Sequence, residues 1–247
     1  MAIVVLQHSP TAGAMRLGAT LRDYGHRLRV IELYAGAPVP RDLDDTDGVI
    51  STGGHMSANE SHDWLEPEMD LLRRADDADL PVIGLCLGCQ VLSRALGGEV
   101  GSVEGGIELG WHEVALTPAG AEDPVHAGIA WTSMQLHWHR EQVTVPPQGA
   151  RVLATSQRCP VQTWTRGMRT YGFQYHVESE IDTIETWARE HPEDLVEAAV
   201  GIEELRAQTA AQFDSYARLT GRLFESIALL LVPADKRYQG VVRDLHH

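Results

Sequence analysis

Two cysteines lie three residues apart in the segment PVIGLCLGCQVLSRALGG, and each of them could carry chemistry. Cys86 and Cys89 have the C-x-x-C spacing of a redox dithiol or of half a zinc site. A zinc site needs two further ligands, which His137 and His139 could supply as an H-x-H pair. Nothing else in the sequence supports such a site. We therefore expect neither a metal site nor dithiol chemistry from the cysteine pair.

A second pattern in the same segment uses more of its residues. Gly84, Cys86 and Gly88 form G-x-C-x-G, the cysteine counterpart of the G-x-S-x-G nucleophile elbow. In that elbow a strand turns sharply into a helix, and the glycines allow the close backbone approach. The helix that begins near Leu87 would favour the thiolate, and the Leu87 N–H would donate to an oxyanion. The alternative is an inert buried cysteine, which leaves the two glycines unexplained.

A thiolate nucleophile also needs a base, a group that orients the base, and a second donor to the oxyanion. The segment YGFQYHVESE offers His176 and Glu178, two residues apart. On a strand this spacing places both side chains on one face, so we expect the imidazole and the carboxylate to lie side by side. Gly53 and Gly54 follow another apolar run and offer backbone N–H groups. Loops at the carboxyl ends of parallel strands share one crevice, where such folds bind ligands.

The elements that position these residues alternate between strand and helix in the first half of the chain. Unbroken apolar runs predict strands, and apolar residues at helical spacing predict helices. The predicted strands are residues 2–6, 26–33, 47–52 and 81–86, and the predicted helices are residues 15–24, 64–78 and 87–98. This alternation indicates an α/β fold, a three-layer sandwich with a mostly parallel central sheet.

After Gly98 the pattern changes to shorter strand-like pieces that predict mixed or antiparallel additions to the sheet. The last of these pieces covers residues 170–178, and the chain is then mostly helical from Glu180 to Val232. We expect one domain over residues 1–247, with a catalytic body of about 1–190 and a helical C-terminal extension of about 191–247. The terminal His246 and His247, native or part of a tag, are left out of this reasoning.

The overall composition is that of an ordinary globular protein, with 43% hydrophobic and 22% charged residues among 247. A formal net charge of −15 argues against binding to nucleic acid or to an anionic membrane, because both would be repelled. The N-terminus has no signal-peptide pattern, and no apolar run has the length of a membrane span. Three cysteines, an odd number, do not suit a disulfide framework. We expect a cytoplasmic protein.

Five segments, in this order along the chain, resemble those of the triad-type (class I) glutamine amidotransferases. They are ISTGGHMS, PVIGLCLGCQVLSRALGGEV, ELGWHEVALT, LHWHREQVTVPPQGARVLATS and YGFQYHVE. The similarity is in particular to the amidotransferase half of GMP synthase and its stand-alone relatives, and it spans about Ile3 to Trp187. The resemblance implies the flavodoxin-like fold of that family.

The resemblance also implies the roles of the site residues. Cys86 attacks the side-chain amide carbon of glutamine or of a γ-glutamyl group and forms a thioester. Gly54 and Leu87 hold the oxyanion through their N–H groups. His176 gives a proton to the departing ammonia and then activates water, while Glu178 holds His176.

Substrate binding is implied for Gly53, Gln90 and His139, and no cofactor or metal is implied. Three positions depart from the family pattern. His55 stands where family members commonly have a proline after the two glycines, and Val177 stands where they commonly have a proline between the catalytic His and Glu. The position of Cys89 usually holds another residue type. These departures affect specificity and loop geometry and remove no catalytic group.

Three functions fit this pattern. We expect a hydrolase that acts alone on glutamine or a γ-glutamyl amide or peptide. The first alternative is a glutaminase subunit that passes ammonia to a separate synthetase, because the chain lacks the phosphate loop of the synthetase half of GMP synthase. The second alternative is a non-catalytic regulatory or binding protein on the same scaffold. Loss of Cys86, His176 or Glu178 would mark that last case, and all three are present.

Overall fold

The computed structural model of the protein describes residues 1–231 of the 247-residue chain, so His246 and His247 lie outside the described residues. The described strands are β1 (Ala2–Gln7), β2 (Leu28–Glu32), β3 (Thr46–Ser51), β4 (Val82–Leu85), β5 (Glu99–Ser102), β6 (Glu108–Leu116), β7 (Thr132–His139), β8 (Glu141–Val145), β9 (Arg151–Thr155), β10 (Thr163–Arg166) and β11 (Thr170–Phe173). The described α-helices are α1 (Met15–Asp23), α2 (Leu65–Asp77), α3 (Leu87–Ala95), α4 (Pro118–Ala121), α5 (Ile181–Glu190), α6 (Pro192–Glu197) and α7 (Ile202–Leu230).

Nine strands form one sheet in the order β2-β1-β3-β4-β11-β10-β9-β6-β7. The five strands from β2 to β11 pair in parallel. The strands β10, β9, β6 and β7 extend this sheet through antiparallel pairs. The predicted α/β fold is confirmed, with its parallel sheet and its antiparallel additions. Strands β5 and β8 pair separately as a two-stranded sheet.

Strand β1 shows why the sheet is covered on both faces. Ile3 and Val5 belong to one buried cluster, which also contains side chains of α1 and α7. Val4 and Leu6 belong to another, which contains side chains of α2 and α3. An unbroken apolar run is required when successive side chains are buried on opposite faces. Helices therefore lie on both sides of the sheet, which is the predicted three-layer arrangement.

The C-terminal helix α7 packs against the sheet and against α1. Its Phe224 and Ile227 are fully buried in the cluster that they share with α1. Arg16 of α1 donates a hydrogen bond to Thr220 Oγ1 of α7 at 2.7 Å. The predicted helical C-terminal segment is confirmed over the described residues, as far as Leu230, and the division into a body and an extension stays a prediction. None of the helices in the described part of the chain is long and apolar enough to cross a membrane.

The last strand of the sheet is shorter than the predicted strand over residues 170–178. Strand β11 ends at Phe173, so His176 lies beyond it and the strand prediction for residues 174–178 is wrong. The parallel partner β4 ends opposite, at Leu85, where the chain turns into α3, so the ladder has no further partner. The His176 N–H instead donates to the carbonyl of Leu136 in β7 at 2.9 Å.

The contact between α3 and β3 gives a test of the fold. A Cβ atom at Gly88 would overlap the carbonyl of Ser51. We expect Gly88→Ala to lower the free energy of unfolding by about 3 kcal/mol, because neither buried backbone can move away. A Cβ atom added at Gly221 in α7 would have no other atom within 4 Å. Gly221→Ala should raise the free energy of unfolding by up to about 1 kcal/mol, because alanine favours helix. Urea unfolding followed by circular dichroism measures both; equal effects would contradict the close packing.

Candidate active site

Cys86 lies between β4 and α3, at the turn that the sequence predicts. Its backbone angles, φ 50° and ψ −106°, are outside the regions that residues other than glycine normally occupy. The Cys86 N–H donates to the carbonyl of Phe173 at 2.8 Å, and the Cys86 carbonyl accepts from the Gln90 N–H at 3.1 Å. The strained residue is therefore held by a strand on one side and by a helix on the other.

The two glycines of the elbow are required by close backbone contacts. A Cβ atom on Gly84 would lie 2.6 Å from the Gly88 carbonyl oxygen and 2.8 Å from Cys89 Cα. A Cβ atom on Gly88 would overlap the Ser51 carbonyl. A side chain at either position would push the start of α3 away from the sheet, and with it the turn that contains Cys86.

His176 and Glu178 meet although neither of them lies on a strand. The His176 Nδ1–H donates to Glu178 Oε1 at 2.8 Å, and both side chains are buried. The Tyr216 hydroxyl of α7 donates to the His176 carbonyl at 2.9 Å. The Trp187 ring of α5 lies 4.7 Å from the imidazole, measured between ring centroids. The imidazole is therefore fixed by a carboxylate, by an indole ring and by the C-terminal helix.

The charges around His176 favour its protonated form. Burial lowers the pKa of His176, but the negative charges of the Cys86 sulfur and the Glu178 carboxylate act in the opposite direction and raise the pKa to about 10. At neutral pH the imidazole therefore carries a positive charge next to Cys86.

Cys89 does not take part in this arrangement. Its side chain is fully buried in the cluster between α3 and the sheet, and it does not line the pocket above Cys86. Burial raises the pKa of the Cys89 thiol far above its usual range, and burial also raises the pKa of Cys159 to about 12. All three cysteines are free thiols. Cys89 therefore packs as a small apolar residue of the core.

The loop after β3 brings Gly53 and Gly54 against the elbow. A Cβ atom on Gly53 would lie 3.2 Å from His176 Cε1 and 3.7 Å from Cys86 Cβ. A Cβ atom on Gly54 would lie 2.9 Å from Leu87 Cδ2. Leu87 is the first residue of α3, so its N–H has no acceptor within the helix. Glycine in this loop lets the backbone pass close to the Cys86 side chain and the His176 imidazole.

A buried hydrogen-bonded pair, absent from the sequence predictions, lies beneath this loop. His8 Nε2 is 2.7 Å from Glu68 Oε2, and the His8 Nδ1–H donates to the Thr52 carbonyl at 3.0 Å. The Ser51 hydroxyl donates to the other Glu68 oxygen at 2.6 Å. These contacts join β1 and α2 to the last residues of β3, and they fix the position at which the glycine loop begins.

A pocket of about 380 Å³ opens above Cys86, a size typical of small-molecule sites. The sequence-predicted residues that line it are Cys86, His176, Gly54, Gln90 and His139. The sequence-predicted residues that do not line it are Glu178, Gly53 and Leu87, which contact the lining residues from behind. The structure therefore brings all eight residues to one place.

The opposite wall of the pocket contains residues that sequence reasoning missed. The Trp138 indole N–H donates to Asp194 Oδ2 at 2.7 Å, and Arg140 forms ion pairs with Asp194 and Glu197. The carbonyl of Trp138 lies 3.8 Å from the Cys86 sulfur. The segment LHWHRE contains Trp138 and Arg140 and could have indicated this wall of the pocket. Their acidic partners on α6, however, are more than 50 positions away in the sequence.

The rim of the pocket carries the histidine that departs from the family pattern. His55, which is exposed, faces His191 with 5.5 Å between the ring centroids. Both rings line the pocket. They come from the glycine loop and from the junction of α5 and α6, so the two rings meet across the pocket opening.

A second buried cluster lies behind His139. Glu108 Oε2 is 3.2 Å from His137 Nδ1 and 3.1 Å from His139 Nε2. Burial acts to raise the pKa of Glu108, but the hydrogen bonds from the two histidines outweigh it and hold the pKa well below its usual range. Burial lowers the pKa of His137 to about 4. Among residues 1–231, these three side chains form the group whose ligand atoms are close enough to hold a metal ion.

Comparisons with known proteins show which family the chain is similar to. A family model described as "Glutamine amidotransferase class-I" matches residues 15–187. The glutamine amidotransferase-like protein YfeJ of Salmonella typhimurium is 32% identical over 201 residues, which cover 79% of this chain and 82% of that protein. Gamma-glutamyl peptidase 5 of Arabidopsis thaliana is 29% identical over 57% of each chain.

Two further similarities cover most of the matched protein. One subunit of the glutamine-hydrolyzing GMP synthase of Natronomonas pharaonis is 30% identical over 64% of this chain and 78% of that protein. The crystal structure of a glutamine amidotransferase from Methylobacillus flagellatus superposes with a TM-score of 0.83 at 26% identity, over 93% of this chain and 95% of that one. The chain belongs to the class-I glutamine amidotransferase family.

Proposed function

We propose that the protein is a hydrolase that cleaves the side-chain amide of glutamine or of a γ-glutamyl compound through a thioester on Cys86. The observation that carries this proposal is the strained turn at Cys86, which lines a 380 Å³ pocket beside the buried pair of His176 and Glu178. A residue held in a disfavoured conformation at a pocket is typical of a functional group, because the strain persists only where the surroundings enforce it.

In the first half of the proposed reaction, Cys86 Sγ adds to the amide carbon. The carbonyl oxygen becomes an oxyanion, which the N–H groups of Gly54 and Leu87 stabilise. The Nδ1–H of His176 is bound to Glu178, so Nε2 holds the proton that moves. This proton passes to the leaving nitrogen, the C–N bond breaks, and ammonia or an amine departs.

In the second half, water attacks the carbonyl carbon of the thioester. His176 Nε2 takes a proton from the water, and the same two N–H groups hold the new oxyanion. The C–S bond then breaks, which releases the γ-carboxylic acid and returns Cys86 to its thiolate form. Glu178 keeps the imidazole in one orientation through both halves.

Substrate binding is assigned to the residues around the floor of the pocket. The Gln90 amide N–H donates to the Glu141 carbonyl at 2.9 Å, and His139 Nδ1–H donates to the same carbonyl at 3.0 Å. We assign Gln90, His139 and the Gly53 backbone to the glutamyl part of the substrate. His55 and His191 line the same pocket, whose volume of about 380 Å³ leaves room for a substituent on the leaving nitrogen.

A hydrolase that acts alone is our preferred form of this function, because gamma-glutamyl peptidases are among the similar proteins. A glutaminase subunit that delivers ammonia to a separate synthetase is the second candidate, favoured by the similarity to one subunit of a GMP synthase. A non-catalytic role is disfavoured by the presence of Cys86, His176 and Glu178. Three free thiols suit a reducing compartment, so we assign the protein to the cytoplasm.

The role of Cys86 gives the first test of this function. A glutamine-analogue electrophile should label Cys86, as read by mass spectrometry of the digested protein. Cys86→Ala should lose the label and lower kcat/KM for the best substrate by at least about 1,000-fold, because no other group can form the thioester. Cys89→Ala is the matched control and should retain the label and most of the activity. Label at Cys89 or Cys159 in the wild-type protein would contradict the proposal.

The choice between the two enzyme functions is tested by a substrate panel. Ammonia or amine release is measured with glutamine, with γ-glutamyl amines and with γ-glutamyl peptides. We expect kcat/KM to be higher for a γ-glutamyl amine or peptide than for glutamine, because a pocket of about 380 Å³ has room for a group larger than the ammonia that glutamine releases. Fast turnover of glutamine alone would instead establish the ammonia-donor function. Absence of turnover with every compound, together with an unlabelled Cys86, would establish the non-catalytic alternative.

The pH dependence of the reaction tests the role of His176. Its pKa is raised from 6.5 to about 10, so the imidazole stays protonated through the neutral range and loses its proton only as the pH rises through that value. We expect kcat/KM to be level between about pH 7 and pH 9 and to fall near pH 10.

A variant of Glu178 tests the direction in which the pH profile moves. Glu178→Gln removes a negative charge that raises the pKa of His176, so the alkaline fall in kcat/KM should move to lower pH. Glu180→Gln is the control, because that exposed carboxylate lies two residues further along the chain and should leave the profile unchanged. Superimposable profiles for Glu178→Gln and the wild-type enzyme would contradict the assignment of His176.

A further inference from the structure

Three ligand atoms of buried side chains meet at one point behind the pocket wall. Glu108 Oε2 lies 3.1 Å from His139 Nε2 and 3.2 Å from His137 Nδ1, and the two ring nitrogens are 3.4 Å apart. A tetrahedron with edges of this length has its centre about 2.0 Å from each corner, which is the usual bond length from zinc to nitrogen or oxygen. We propose that Glu108, His137 and His139 bind a zinc ion.

Hydrogen bonding alone satisfies this cluster poorly. The His139 Nδ1–H donates to the Glu141 carbonyl at 3.0 Å, so Nε2 is the ring nitrogen that faces Glu108 Oε2, at 3.1 Å. In the same cluster, His137 Nε2 and the amide oxygen of Gln162 are buried without a hydrogen-bond partner. A histidine whose second nitrogen is fixed by a backbone carbonyl is also the usual arrangement of a metal ligand.

A fourth side chain reaches the same point. The Gln162 amide nitrogen lies 3.3 Å from Glu108 Oε2 and 3.2 Å from His137 Nδ1. The side chain is fully buried, and its amide oxygen has no hydrogen-bond partner. The two ends of an amide have nearly the same shape, so a half-turn of the group exchanges them. The oxygen then faces the zinc ion, and the Ser156 hydroxyl, 3.0 Å from that atom, can donate to it.

Four protein ligands make this a closed site, which is typical of structural rather than catalytic zinc. His139 also lines the pocket, and the carbonyl of its neighbour Trp138 lies 3.8 Å from the Cys86 sulfur. A metal ion at Glu108 of β6 and at both histidines of β7 therefore joins the two strands directly behind the part of β7 that lines the pocket. This inference assigns no step of the proposed reaction to the metal, and it shares only His139 with the proposed substrate site.

Metal binding to the full chain is the direct test. Protein that has been treated with a chelator and dialysed is titrated with ZnCl₂. The bound zinc is measured by inductively coupled plasma mass spectrometry. We expect one zinc per chain and, at saturating zinc, a rise in Tm of about 5 °C. Co²⁺ in place of zinc should give the strong visible absorption of tetrahedral coordination. Wild-type protein that binds no zinc and shows no shift in Tm would overturn the proposal.

Two variants separate this site from other zinc-binding groups on the chain. His137→Gln removes one ligand but retains a side chain that can hydrogen-bond, and it should weaken zinc binding by at least about 100-fold and abolish the shift in Tm. His112→Gln is the control, because that ring packs 5.3 Å from the His137 ring and contributes no ligand atom to the cluster. The histidines at the end of the chain are present in all three proteins. Equal zinc affinity in His137→Gln and His112→Gln would overturn the proposal.

Discussion

The site depends on one close contact, where Gly88 at the start of α3 meets the backbone at the end of β3. Because Gly88 has no Cβ, its N–H donates to the Thr52 carbonyl at 3.0 Å, and α3 begins directly on the sheet. The sharp turn between β4 and α3 forces Cys86 to a positive φ, which costs about 1–3 kcal/mol of conformational free energy. Burial of the apolar face of α3, including Leu87 and Val91, offsets that cost. The same contact therefore orients Cys86 and fixes where the glycine loop starts.

The position of His176 depends on parts of the chain that are far from the elbow. Strand β11 ends at Phe173 because its neighbour β4 turns into α3 there, so the residues that follow leave the sheet. The chain is then held by a backbone bond to Leu136 and by the hydroxyl of Tyr216 from α7. A helix that begins 26 residues after His176 therefore helps to hold His176 in place.

The sequence predicts the fold well because parallel strands buried on both faces have a strong local signal, as in the run from Ile3 to Leu6. It also predicts the elbow, since the spacing of Gly84, Cys86 and Gly88 is local. It does not predict the support of the site. The contact between His8 and Glu68 joins residues 60 positions apart, and their proximity follows from the packing of α2 on the sheet, which hydrophobic periodicity does not encode. The end of β11 was missed for the same reason, because it is decided by the neighbouring strand.

His8, His139 and His176 each lie beside a glutamate, and the use of the second ring nitrogen separates the roles of these three pairs. His8 and His139 each bind a carboxylate through Nε2 and donate to a backbone carbonyl through Nδ1, so both nitrogens are engaged with fixed groups. Such a ring can join elements but cannot transfer a proton without breaking a structural bond. His176 uses Nδ1 for Glu178 and keeps Nε2 on the side of the Cys86 sulfur. Of the three pairs, it is therefore the one whose hydrogen bonds leave a nitrogen free for chemistry.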